Sequence, residues 1–102
     1  MITIIQTTSD TKEELESIAD YLVNSNKIAC AHIEAALSSV YVWEDEVRHS
    51  DEYTMKLKTT AERCPEVVDY IKAHHHYDLP QITWWEVAAT AEYQAWVEGQ
   101  TA

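Results

Sequence analysis

The chain has 102 residues and a mass of 11.7 kDa. That is one domain, spanning residues 1–102, which buries roughly two-thirds of its unfolded surface on folding. Seven basic residues against 18 acidic ones leave a net charge of −11. This excludes a phosphate-backbone or anionic-membrane partner as the first expectation, since both recruit Lys and Arg. Four Trp and six Tyr, with one Gly and two Pro, exclude disorder and low-complexity linkers.

Residues 2–8, ITIIQTT, are β-branched and apolar, and predict a first strand. Ser9 or Asp10 follows as a helix cap, with Asp10 and Glu13 spaced for a capping box. Leu15, Ile18, Ala19, Leu22 and Val23 then recur at helical spacing. Asn24-Ser25-Asn26-Lys27 is the stop, because Asn tolerates a left-handed exit. Residues 28–43 predict one long strand, bent near Ala35-Ala36, and an acidic turn at Asp45 follows. In residues 47–59, Tyr53, Met55, Leu57 and Thr59 face one way, and Glu52, Thr54, Lys56 and Lys58 the other.

A second helix is predicted from Thr60 or Ala61, with Pro65 in its first turn and a buried stripe of Val67, Val68, Tyr70, Ile71 and His74. It ends in His74-His75-His76-Tyr77, and Asp78-Leu79-Pro80 forms a loop. Residues 81–87, QITWWEV, predict a fourth strand, and Thr90 caps a short last helix. The order is an α+β, ferredoxin-like βαββαβ sandwich with an extended central hairpin and a short C-terminal helix. Tyr41, Trp43, Tyr53, Met55, Trp84 and Trp85 are too much apolar surface for two helices to hide. Strands longer than the usual ten residues also overhang their sheet. Both features predict self-association.

No apolar run approaches the roughly 20 residues of a spanning helix. The opening MITIIQTTSD has no basic region leading into an apolar stretch, so a cytoplasmic location is expected. Cys30 and Cys64 lack C-x-x-C spacing and are expected as reduced, packed thiols. There is no G-x-S-x-G, phosphate-cradling glycine loop or H-E-x-x-H, so an enzyme is not expected.

The segment Cys30–Glu44, CAHIEAALSSVYVWE, resembles the hallmark strand of the CutA divalent-cation tolerance proteins, with Ser39, Tyr41, Trp43 and Glu44 on its marked positions. Glu52 and Lys58-Thr59 match the third strand, His76-Tyr77 with Leu79-Pro80 is similar to the loop His-Pro-Tyr-x-Val-Pro, and Tyr93 and Trp96 match the Tyr-x-x-Trp of the last helix. The chain departs from the pattern at Ala35 and Ala36, where the family has Pro and Gly, at Asp45 and Thr90, where Gly is usual, and at Trp85-Glu86-Val87. The resemblance implies a homotrimer with sheets packed inward and hairpins paired across subunits. It also implies tolerance of copper and other divalent ions, and brings no catalytic mechanism.

His76 is the leading candidate metal ligand, because the resemblance falls on it and neutral imidazole suits copper and zinc. The competing reading of His74-His75-His76 is a helix terminus favoured by the dipole, with one ring tucked against the sheet. Cys30, His32 and Glu34 alternate along one strand face and offer sulfur, nitrogen and oxygen to a cation such as copper, or else decorate a wet face. Trp43, Glu44, Glu52, Lys58, Tyr77, Tyr93 and Trp96 are the candidate cleft or interface residues. The expected ligand is Cu or another divalent ion, not required for folding. The alternative is a non-enzymatic trimeric signalling or scaffold protein that binds a small molecule or a protein at inter-subunit clefts.

Overall fold

The computed structural model describes residues 1–102, apart from the side chain at position 36. The elements run β1 (Ile2–Ser9), α1 (Lys12–Asn24), β2 (Cys30–Trp43), β3 (Glu46–Thr59), α2 (Cys64–His74), β4 (Ile82–Val87) and α3 (Ala91–Gln100). The sheet order is β2-β3-β1-β4, with every neighbouring pair antiparallel. β1 and β2 are therefore parallel but not adjacent, as are β3 and β4. Each pair is joined through a helix, which is the split βαβ arrangement of the ferredoxin-like fold.

Period-two alternation decides what is buried. Ile5, Met55 and Leu57 face the helices and pack with Leu15, Ile18 and Leu22 of α1 and Cys64, Val67 and Ile71 of α2. The opposite face carries Ile4, Gln6, Lys56, Lys58, His32 and Trp85. There α3 covers only one end, through Val97 against Ile2 and Ala29. Thr3 and Thr7 also face the helices, and their buried hydroxyls have no hydrogen-bond partner among the described residues. Thr7→Val keeps the branched shape and removes an unpaid desolvation. It should raise stability by about 1 kcal/mol in urea unfolding.

The hairpin sets the molecule's length, 45 Å against 24 and 22 Å across. β3 pairs with β1 only over Tyr53–Thr59, so residues 46–52 pair with β2 alone and project beyond the sheet. The predicted bend is a bulge. The register passes from Glu34↔Thr54 to Leu37↔Glu52, three steps on β2 against two on β3. The extra residue changes the phase of β2, so Ser39, Tyr41 and Trp43 share the face of Cys30, His32 and Glu34. The two-residue turn holds Glu44 at φ 50° and Asp45 at φ 62°, the left-handed pair that matches strand twist. Neither residue suits that region as Asn and Gly do. Glu44→Asn with Asp45→Gly should therefore raise the thermal midpoint, by about 1–2 kcal/mol of stability.

Three local expectations fail. The Asp10–Glu13 capping box is absent: α1 starts at Lys12, and Ser9 Oγ instead accepts the Thr11 N–H at 3.1 Å and donates to Glu14 at 2.9 Å. α2 starts at Cys64, after a turn over residues 61–63, so Pro65 sits in a first turn that begins later than expected. His74 is exposed and stacks on Tyr70 at 3.9 Å, while His75 is the buried histidine. The left-handed exit from α1 is at Asn26, φ 61°. Thr90 caps α3 by accepting the Tyr93 N–H. Both cysteines are free, with Cys64 buried. No helix is long and apolar enough to cross a membrane.

Candidate metal site and neighbouring groove

The chain leaves α2 at His74 and turns across the end of β1 toward β4. His75 fixes that crossing. Its Nε2 lies 2.7 Å from the Thr8 carbonyl, and its Nδ1 accepts the Tyr77 N–H at 3.1 Å. A carbonyl only accepts and an amide only donates, so Nε2 carries the proton. The ring itself has no solvent exposure.

His76 turns outward onto two carboxylates. Its Nδ1 is 2.8 Å from Glu14 Oε2, its Nε2 is 3.1 Å from Asp10 Oδ1, and its N–H donates to Glu14 Oε1 at 2.9 Å. Glu14, on the first turn of α1, also lies 3.7 Å from His75 Nδ1. Glu14, His75 and His76 are the one group among the described residues whose ligand atoms converge, all within 4.8 Å. The donor set, imidazole with carboxylate, fits zinc or copper. His75 already spends both nitrogens on backbone groups, so Glu14 and His76 are the available ligands. Glu14 was not legible as a site residue, because it lies 62 positions from His76.

The hydrogen bond to Glu14 raises the pKa of His76 above its ordinary 6.5, against a smaller desolvation, with the charges of Glu14 and Asp10 adding to the rise. Burial pushes Glu14 up, but the hydrogen bonds from His76 and Ser9 and the nearby histidines outweigh it and leave its pKa below 4.5. The raised histidine stabilises the fold fully below pH 6.5, and that contribution is lost as pH rises through its folded value. The lowered carboxylate stabilises above pH 4.5 and loses its contribution as pH falls through its folded value. Chelator-treated protein should therefore melt highest between about pH 4.5 and 6.5. His76→Gln should flatten the alkaline limb of that profile.

The Cys30, His32, Glu34 row does not converge. Alternate strand residues stand about 6.6 Å apart with parallel side chains, and each has its own partner: Tyr93 Oη 3.6 Å from Cys30 Sγ, Lys58 Nζ 3.2 Å from His32 Nδ1, and Lys56 Nζ 3.9 Å from Glu34. The Cys30 contact, then burial, pushes the Tyr93 hydroxyl up to about 12.

Of the candidate cleft residues, Trp43, Glu52 and Tyr77 meet in one open groove of about 430 Å³, also lined by Thr8, Tyr41 and Arg48. Tyr77 Oη donates to Glu52 at 2.7 Å and accepts the Asp10 N–H at 2.9 Å. Burial and then the Glu52 carboxylate push its pKa far up. Glu44 lies at the hairpin tip, Lys58 beside His32, and Tyr93 and Trp96 on α3 with rings 5.6 Å apart.

Residues 3–100 match the family model described as CutA1 divalent ion tolerance protein. The chain is 31% identical over 99 residues to the divalent-cation tolerance protein CutA of Thermus thermophilus, covering 96% of each chain. It is 35% identical over 82 residues to that of Archaeoglobus fulgidus, covering 80% of this chain and 79% of the relative. The crystal structure of the divalent ion tolerance protein CutA1 from Ehrlichia chaffeensis superposes with a TM-score of 0.93 at 36% identity, over 99% of this chain and 95% of that one. The Thermus thermophilus structure gives 0.93 at 31% identity over the whole of both chains. In the family loop His-Pro-Tyr-x-Val-Pro, counting back from Tyr77 and Pro80 puts the histidine on His75 and the proline on His76. His76 is thus an added imidazole, and the motif's own histidine is the buried one. By sequence match, fold and the length of chain covered, this protein belongs to the CutA1 divalent ion tolerance family.

Proposed function

We propose that this chain is a homotrimeric divalent-cation-binding protein that contributes to tolerance of copper or a similar ion, and that Glu14 and His76 are its ligands. The observation that carries the reading is the 2.8 Å approach of His76 to Glu14, held in place by His75, in a family whose relatives are named for divalent-cation tolerance. Binding displaces the proton that His76 shares with Glu14, so affinity rises with pH. Support for assembly comes from the bare overhang. Val40, Val42 and Val47 are 62%, 68% and 68% exposed on a hairpin half that no helix or third strand covers.

Calorimetric titration of chelator-treated protein with Cu²⁺ and Zn²⁺ tests the metal reading. Saturable binding of one ion per chain is expected. His76→Ala should weaken it at least tenfold, and replacement of Cys30 and His32 should leave it unchanged. Equal binding by wild type and His76→Ala overturns the assignment. A second reading, small-molecule binding on a non-enzymatic trimer, is favoured by the groove at Glu52 and Tyr77.

A further inference from the structure

Three charged residues line the groove, Arg48, Glu52 and Asp78, and the first two are incompletely paired among the described residues. Glu52 is only 7% exposed, and its one hydrogen-bond partner among the described residues is Tyr77 Oη, at Oε2. Its other carboxylate oxygen receives no donor among the described residues. Arg48 lies on the same face of β3, four residues toward the tip, which is about 13 Å between Cα atoms. Its Nε is buried without a partner among the described residues, and its Nη2 reaches Glu46 only at 3.6 Å. Tyr41 faces Arg48 across the ladder, Trp43 follows two residues toward the tip, Tyr77 meets Glu52, and all three line the groove.

Each part constrains the occupant. A largely buried carboxylate is costly unless a donor, best a cationic one, completes it. Aromatic faces also favour an ammonium or a planar body. An unpaired guanidinium nitrogen calls for an acceptor, best an anion. An inorganic anion would meet Glu52 and Asp78, and a lone metal ion on those carboxylates would leave the Arg48 guanidinium without its anion. A volume of about 430 Å³ lies within the range of small-molecule sites.

We infer that the groove between the hairpin overhang and the Tyr77 loop binds a small dipolar organic molecule, its amine on Glu52, its carboxylate or other anion on Arg48, and its planar body along Tyr41, Trp43 and Tyr77. The inference rests on the second reading above and is independent of the metal site.

The test is calorimetry with amide NMR on the full chain in its native assembly. The probes are 4-(2-aminoethyl)benzoate, which carries both charges, and 2-phenylethylamine and 4-ethylbenzoate, which carry one each. The dipolar probe should bind saturably, at least tenfold tighter than either congener, with shifts at Tyr41, Trp43 and Tyr77. Glu52→Gln, which still accepts from Tyr77, should reduce the dipolar probe to the affinity of 4-ethylbenzoate. Arg48→Gln should reduce it to that of 2-phenylethylamine. Thermal melts show that both variants remain folded. Equal affinity for all three probes, or indifference to both variants, overturns the inference. Binding with shifts confined to another surface overturns the groove but leaves the second reading standing. Absence of any binding, with the groove amides protected in the assembly, means that a second copy fills it and overturns both.

Discussion

His75→Ala should destabilise the protein by about 3 kcal/mol in urea unfolding, whereas His76→Ala should cost less than about 1 kcal/mol. The two neighbours differ in what they leave behind. Removing the His75 ring strands the Thr8 carbonyl and the Tyr77 N–H at a buried position, and each buried unsatisfied group costs about 1–3 kcal/mol. The vacated ring volume adds a packing loss. Removing His76 breaks contacts to Glu14 and Asp10 at a half-exposed position, where solvent already screens the charges.

The functional consequence runs through the loop. His75 holds the backbone that aims His76 at Glu14 and Tyr77 at Glu52. His75→Ala should therefore lose both the metal titration and the groove, and His76→Ala the metal alone. A cost below about 1 kcal/mol for His75→Ala would show that the loop is held by something else.

Which features were legible follows from what a one-dimensional pattern encodes. Alternation over residues 53–59 gave the two faces of β3 because the strand period is two and one face is apolar. The positions of Ala35-Ala36 marked the bulge only as a bend. Its consequence, the change of phase that puts Tyr41 and Trp43 on the face of Glu52, depends on register and so on the partner strand. The run His74-His75-His76 offered three identical letters and no burial signal. The spacing back from Tyr77 and Pro80 was the clue that singled out His75.

The Cys30, His32, Glu34 row shows the reverse error. Sharing a face was legible, but convergence was not, because strand side chains leave the sheet in parallel. The real cluster joins the first turn of α1 to the end of α2. Its faint local sign was Glu14 near Ser9, now seen as a hydrogen-bonded pair at 2.9 Å. Trp84 and Trp85 take opposite faces of an edge strand, and Trp84, on the helix side, stays 53% exposed.

The largest effect is expected at Trp85. It stands on the face opposite the helices, paired with Ile4 and 40% exposed, where α3 does not reach. If three sheets pack inward on that face, Trp85 becomes buried, and a carboxylate placed there is buried without a partner at every copy. That penalty is several kcal/mol per charge, enough to lower the association constant by more than about a thousandfold. Sedimentation at micromolar concentration should give about three times the 11.7 kDa chain mass for wild type and a single chain for Trp85→Glu. The wild type's melting temperature should rise with protein concentration, and the monomeric variant's should not. Trp84→Glu, on the helix side of the same edge strand, is the control and should keep the wild-type mass. A wild-type monomer, or an assembly indifferent to Trp85→Glu, would mean that the face is covered by something other than copies of this chain. The exposed valines of the hairpin would then need a different partner.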